Sequence, residues 1–234
     1  TAAVGRLDMV TAENWHEPAN LHKFVDRFLG STGHSGPGNY FKAVRNTEFF
    51  RDGQPFKLPE TAYKTDLITD FATQFIAEAA AQERPFFLYF AHYAPHWPLH
   101  AKPEDIAKYR ELYRKLGWDE ARSQRYRRLA EEGLIPAATL LSFRDPRALA
   151  WAGARNHAWE AERMATYAAQ VDSLDQSVGR VMDTLRRTKA ATAPRTRERY
   201  DSAFAEAPFN ALRHLPLIET RPAIRSFSAN GPPL

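Results

Sequence analysis

The feature that most constrains this chain is one change of period. Leu67, Ile68, Phe71, Ala72, Phe75, Ile76 and Ala79 recur at three- and four-residue intervals, behind the capping candidates Thr65 and Asp66. That spacing predicts an amphipathic helix. After the polar break Gln82-Glu83-Arg84, the run Pro85-Phe86-Phe87-Leu88-Tyr89-Phe90-Ala91 is short, aromatic and continuously apolar. Such a run predicts a buried strand in a sheet covered on both faces. Helix followed by strand is the alternation of an α/β domain, and the loop after the strand then falls where open α/β sheets place their ligands.

Around this unit the patterns are varied. From Phe28 to Phe56, Gly30, Gly33, Gly36, Pro37, Gly38 and the Asp52-Gly53 turn signal argue for loops and a short hairpin. Helices are expected from Pro103 to Leu116, from Glu120 to Gly133 and from about Trp159 to Arg187. In the last, Met164, Tyr167, Ala168, Val171, Leu174, Val178, Val181, Met182 and Leu185 form one apolar stripe, read as core. From Lys189 the composition turns to Ala, Pro, Arg and Thr, with Pro194, Pro208, Pro216 and Pro222 opposing a central strand. The chain therefore divides into a domain over 1–188 and a divergent, poorly ordered tail over 189–234.

With 44% hydrophobic and 26% charged residues, 234 residues suffice for a sizeable core. The net charge of +4 and the cluster Arg110, Arg114, Lys115, Arg122, Arg125, Arg127 and Arg128 raise nucleic-acid binding. Glu104, Asp105, Glu111, Asp119, Glu120, Glu131 and Glu132 interleave with those bases, as on a solvated helical face, and no nucleic-acid motif accompanies them. No nucleic-acid partner is expected. Nor is a membrane span, since no apolar run approaches the roughly 20 residues required. The absence of cysteine rules out disulfides and thiolate metal sites and leaves the compartment open. The chain starts at Thr1 without a charged leader and apolar run, so its start is read as a cut or processed end.

Chemistry concentrates in the loop after the apolar run. His92, His96 and His100 stand four residues apart, a spacing that lines one face of a helix and suggests a metal site. Pro95 and Pro98 exclude the helix, so the spacing does not gather three imidazoles. Two readings remain open on the residues: a structural histidine, or one positioned imidazole in a cleft.

Pro85 to Ala91 followed by Ala94-Pro95-His96-Trp97-Pro98-Leu99-His100 resembles the sulfatase pattern of a "PFFLY" strand running into "APHxPLH". The flanks extend the resemblance. Tyr63-Lys64-Thr65-Asp66-Leu67-Ile68-Thr69-Asp70 is similar to the family's "Y-x-T-D-x-x-T-D" helix start. Arg163 to Asp172, with Asp175 and Gly179, resembles the long helix ahead of a metal-ligand segment. Trp15-His16 and Phe24 to Gly30 resemble "G-K-W-H" and "G-F-D-x-F-x-G". The covered stretch is roughly 10 to 188.

The resemblance implies an α/β fold, here a partial alkaline-phosphatase-like sheet flanked by helices, and hydrolysis of a small-molecule or carbohydrate sulfate ester. It implies a formylglycine nucleophile and calcium in the complete family enzyme, with a periplasmic or secreted setting. By motif match His96 holds the sulfate and acts as general acid, and His16 is the second catalytic imidazole. The departures matter equally. Asn14 stands at the family's lysine position and Glu13 at its glycine. There is no Cys, no Ser-x-Pro-x-Arg and no Asp-Asp or Asp-Asn pair; Ser35, in Ser35-Gly36-Pro37-Gly38-Asn39, is read as a loop residue. No metal site and no cofactor are expected in this chain, which is read as catalytically incomplete. The alternatives are a non-catalytic relic or binding module and, within the superfamily, a phosphoesterase or phosphoethanolamine transferase.

Overall fold

A computed structural model describes residues 1–6, 25–31, 39–41, 49–82, 85–136 and 138–190. The elements run β1 (Ala2–Arg6), β2 (Arg27–Ser31), β3 (Phe49–Arg51), β4 (Gln54–Pro55), α1 (Lys64–Ala81), β5 (Leu88–Ala91), α2 (Pro103–Glu131), a 3-10 turn (Trp151–Gly153) and α3 (His157–Arg187). The class is α/β, as expected. Two compact units divide the described residues of these elements: those within 1–100 together with 173–190, and those within 101–172.

The first unit contains a mixed sheet in the order β4-β3-β2-β1-β5. β1 runs parallel to both neighbours, Val4 facing Leu29 on one side and Phe90 on the other. The antiparallel β3–β4 hairpin turns at Asp52 and Gly53, both at positive φ (49° and 82°), as the turn signal requires. Asp52 also accepts the Phe28 N–H at 2.8 Å and pairs with Arg27, tying the hairpin to β2. Helix α1 packs on β1 and β2, burying Ile68, Phe71, Ala72, Phe75 and Ile76. Each large side chain among these contributes about 1.5–3 kcal/mol by leaving water.

Several expectations need correction. Strands β1 and β2 lie in stretches the sequence reading left unassigned or took for loops. Helix α1 begins one residue before Thr65, without a side-chain cap. Its Lys64 N–H instead donates to the carbonyl of Tyr40 at 2.9 Å, a partner from another part of the chain. β5 is shorter than 85–91 and occupies the last place in the sheet among the described residues. Phe87 and Tyr89 are 61% and 50% exposed. The strand is therefore not covered on both faces: aromatic residues favour strands whether one face is covered or two.

In the second unit α2 is one helix with a break at Gly117 (φ 64°, ψ 180°), close to the predicted division into two helices. The Trp151 ring fills the space where a Cβ on Gly117 would stand, 2.3 Å from the nearest ring carbon. Trp118 donates to the Leu149 carbonyl at 3.0 Å, and Asp119 accepts the Trp151 N–H at 2.7 Å. The core of this unit is made of Tyr109 and Tyr113 from α2 packed on Ala161, Ala165, Ala168 and Ala169 of α3. Arg110 pairs with Glu162, Arg114 with Glu111 and Arg127 with Glu120, so these three bases of the cluster are internally paired. The stripe on α3 is core apart from Tyr167, which is exposed, and Met164 and Val178, which are half-buried. The tail beyond residue 190 lies outside the described residues, and no described helix is long and apolar enough to cross a membrane.

Candidate active site

β1, β2 and β5 are parallel, so their carboxyl ends share one edge of the sheet, where the loop 92–100 emerges from β5. Tyr93 ties that loop to the edge. Its hydroxyl oxygen accepts the Ser31 N–H at 2.9 Å, while its proton goes to the Gly5 carbonyl at 3.3 Å. The Ser31 hydroxyl is therefore the donor in its own bond to the Tyr93 oxygen. One buried side chain thus joins the ends of β1, β2 and β5. Gly5 (φ 106°) permits the close approach of β5, since a Cβ there would stand 1.5 Å from the Ala91 carbonyl oxygen.

The three histidines have different surroundings. His92 Nε2 lies 2.9 Å from the Ser177 hydroxyl, which bonds in turn to Thr69. Thr69 gives its proton to the Thr65 carbonyl at 2.6 Å, so it accepts from Ser177. Ser177 then accepts from His92, and the only consistent tautomer carries its proton on Nε2. Nδ1 is left as a buried acceptor without a partner. Burial pushes this imidazole down to about 3. His92 is a neutral structural histidine.

His96 lies on the exposed part of the loop, beyond β5 as expected and not enclosed by apolar side chains. Its N–H donates to the Tyr93 carbonyl and its own carbonyl accepts from the Tyr40 hydroxyl, both at 2.9 Å. Its Nδ1 bonds to the carbonyl of Trp97, which can only accept, so Nδ1 carries a proton and Nε2 is the nitrogen left for a ligand. The Ala94-Pro95 and Trp97-Pro98 peptides flanking it are cis.

His100 is half-buried, edge-on to Tyr40 at 6.3 Å, with its carbonyl accepting from the Tyr63 hydroxyl at 3.3 Å. Its Nδ1 has no partner. Burial pushes this imidazole down, and the Lys64 charge adds to the effect. Lys64 is itself buried, with Nζ 5.8 Å from the Tyr93 ring centre and 6.0 Å from that of Phe49, and burial pushes it down to about 8.

The spacing of four thus yields three environments. Among the described residues no three His, Cys, Asp or Glu side chains lie together as a metal group. His16, with Glu13, Asn14, Trp15 and Ser35, lies outside the described residues. Sequence reasoning missed Tyr40, Lys64 and Tyr93 as supports of the loop. The sole signal was Tyr63-Lys64 beside the helix start, because each of these contacts joins residues far apart in the chain.

Comparison with known proteins follows the same lines. A model of the sulfatase family matches residues 6–192. The arylsulfatase of Klebsiella aerogenes is 31% identical over 147 residues, covering 61% of this chain and 31% of that protein. An uncharacterized sulfatase of Schizosaccharomyces pombe is 30% identical over 175 residues, 67% of this chain and 28% of its own length. The crystal structure of Ps i-CgsB is similar at 23% identity and a TM-score of 0.49, over 81% of this chain and 34% of that one. The chain thus spans about a third of the length of the curated relatives it matches. With a family model covering far more than half of its residues, the chain belongs to the sulfatase family.

Proposed function

We propose that the chain supplies the leaving-group side of a sulfuric ester hydrolase site, acting on a small-molecule or carbohydrate sulfate ester with His96 as general acid. The observation that carries this reading is the bond from His96 Nδ1 to the Trp97 carbonyl on a loop fastened by Tyr40, Tyr63 and Tyr93. That bond leaves Nε2 for the substrate, and as general acid His96 donates from Nε2 to a sulfate oxygen or to the bridging oxygen. As a nucleophile bonds to sulfur and the bond from sulfur to that oxygen breaks, the sulfur–oxygen pair goes to the leaving oxygen, which takes the Nε2 proton, and the N–H pair stays on nitrogen. His16 is the second imidazole of this reading, by motif match.

The nucleophile and metal are a separate matter. A complete family enzyme is expected to use formylglycine and calcium. This sequence has no Cys and no Ser-x-Pro-x-Arg, and the described residues assemble no acidic cluster for a hard cation. The described residues fit neither group, and no step here runs through either. Asn14 at the lysine position supports the second reading, a relic or binding module that keeps the loop without turnover.

NMR titration with inorganic sulfate tests the first reading. Sulfate is expected to perturb the His96 ring resonances, and His96→Ala to weaken binding by about 10-fold or more, the scale of a charge-assisted hydrogen bond. Equal affinity in the variant overturns the assignment. An aryl sulfate assay separates the two readings: the chain by itself is expected to give no turnover, since loss of a nucleophile removes the pathway. Turnover that copurifies with the protein and disappears in His96→Ala overturns catalytic incompleteness. In a site completed by nucleophile and metal, that variant is expected to cost about 10²–10⁴-fold in rate.

A further inference from the structure

Trp97 is 74% exposed, whereas the aromatic residues that fasten its loop, Tyr40, Tyr63 and Tyr93, are buried. What sets this indole apart from other exposed apolar side chains is its place beside the exposed His96 imidazole on a well-fastened backbone, a flat apolar face next to a hydrogen-bonding nitrogen. Its peptide neighbours are held by the Tyr93 carbonyl at the His96 N–H, by the Tyr40 hydroxyl at the His96 carbonyl and by the ring of Pro98. The ring lies 5.9 Å from the His96 imidazole, centre to centre, at an interplanar angle of 30°.

We propose that Trp97 is the stacking platform for the ring of the ester's leaving alcohol, holding its sulfated oxygen at His96 Nε2. This rests on the reading of His96 as the group that meets that oxygen. A ring seated on an indole at van der Waals distance, about 3.5–4 Å, carries an oxygen substituent one or two bonds beyond its edge. The neighbouring imidazole, 5.9 Å away, is within reach of such a substituent. Pyranose and aryl rings share the required chemistry, a flat apolar face. The sulfate group lacks one and is indifferent to the indole. Because the backbone beneath the indole is already held, only side-chain freedom is lost when a ring settles on it. Trp97 is on this account a specificity determinant acting on the alcohol, while its backbone carbonyl orients His96 separately.

The test uses Trp97→Ala and Trp97→Phe, both of which keep that carbonyl. Wild type and variants are titrated by NMR with inorganic sulfate, phenyl sulfate and a methyl galactoside 6-sulfate. Trp97→Ala is expected to weaken the esters by about 3- to 10-fold, with a smaller loss in Trp97→Phe and inorganic sulfate unchanged. A loss confined to phenyl sulfate assigns the platform to aryl esters, and one confined to the galactoside assigns it to carbohydrate esters. Unchanged affinity for both esters overturns the proposal. So does an equal loss for inorganic sulfate, which reduces Trp97 to a support of the loop, or a Trp97→Phe as weak as Trp97→Ala. If His96-dependent sulfate binding persists while the ester loss is absent, only the platform fails. If wild type binds no sulfate, the reading of His96 fails and the platform with it.

Discussion

His92 is among the few residues whose protonation can be followed atom by atom. Its Nε2–H is committed through Ser177 and Thr69 to the Thr65 carbonyl, and its Nδ1 is sealed from water. The folded-state value of about 3 lies below the ordinary 6.5, so the unfolded chain binds more protons between them. Stability from a neutral His92 is then complete above about pH 6.5 and is lost as pH falls toward 3. His92→Gln is expected to flatten the acid limb of a stability-versus-pH curve from chemical denaturation, at some loss of stability near neutrality; an unchanged limb refutes the assignment. Sequence gave no means of telling His92 from His96. Both follow the same apolar run, and what separates them is Ser177, 85 positions away.

Elements defined by period were legible, and elements defined by partners were not. The 68-71-72-75-76 face of α1 and the stripe on α3 follow from side-chain spacing alone. β1 escaped because Ala2-Ala3-Val4-Gly5 carries little apolar bulk; it is a central strand because β2 and β5 flank it, and Gly5 marks how closely. The breadth of cover over β5 was likewise a property of its neighbours. The break in α2 was legible as a division between Leu116 and Glu120, but not its partner: the glycine's conformation serves a distant tryptophan. Gly117→Ala is expected to cost at least about 1–3 kcal/mol, since φ 64° with ψ 180° suits glycine alone and a Cβ collides with the Trp151 ring. Thermal denaturation measures the cost. Faster proteolysis within 140–150 is expected beside it, as the Leu149 and Trp151 contacts loosen. A variant as stable and as resistant as the parent contradicts this.

At the scale of the whole molecule, the resemblance read from motifs over roughly 10 to 188 agrees with a family match over 6–192. The site's loop was legible because its prolines and aromatic residues are contiguous. Its supports were hidden, because Tyr40 and Tyr63 reach the loop from 56 and 37 positions away. The hydroxyl of Tyr93 also sets a rule for changes of length. Adding or removing one residue between Ala91 and Tyr93 shifts that side chain by about 3.3 Å and reverses the face it presents, detaching it from Ser31 and Gly5 together. The hairpin tip at Asp52-Gly53 meets no such register, apart from the Asp52 bonds to Phe28 and Arg27. Length variation in this half of the chain should therefore gather between strands and spare the two positions that carry the chain out of the sheet.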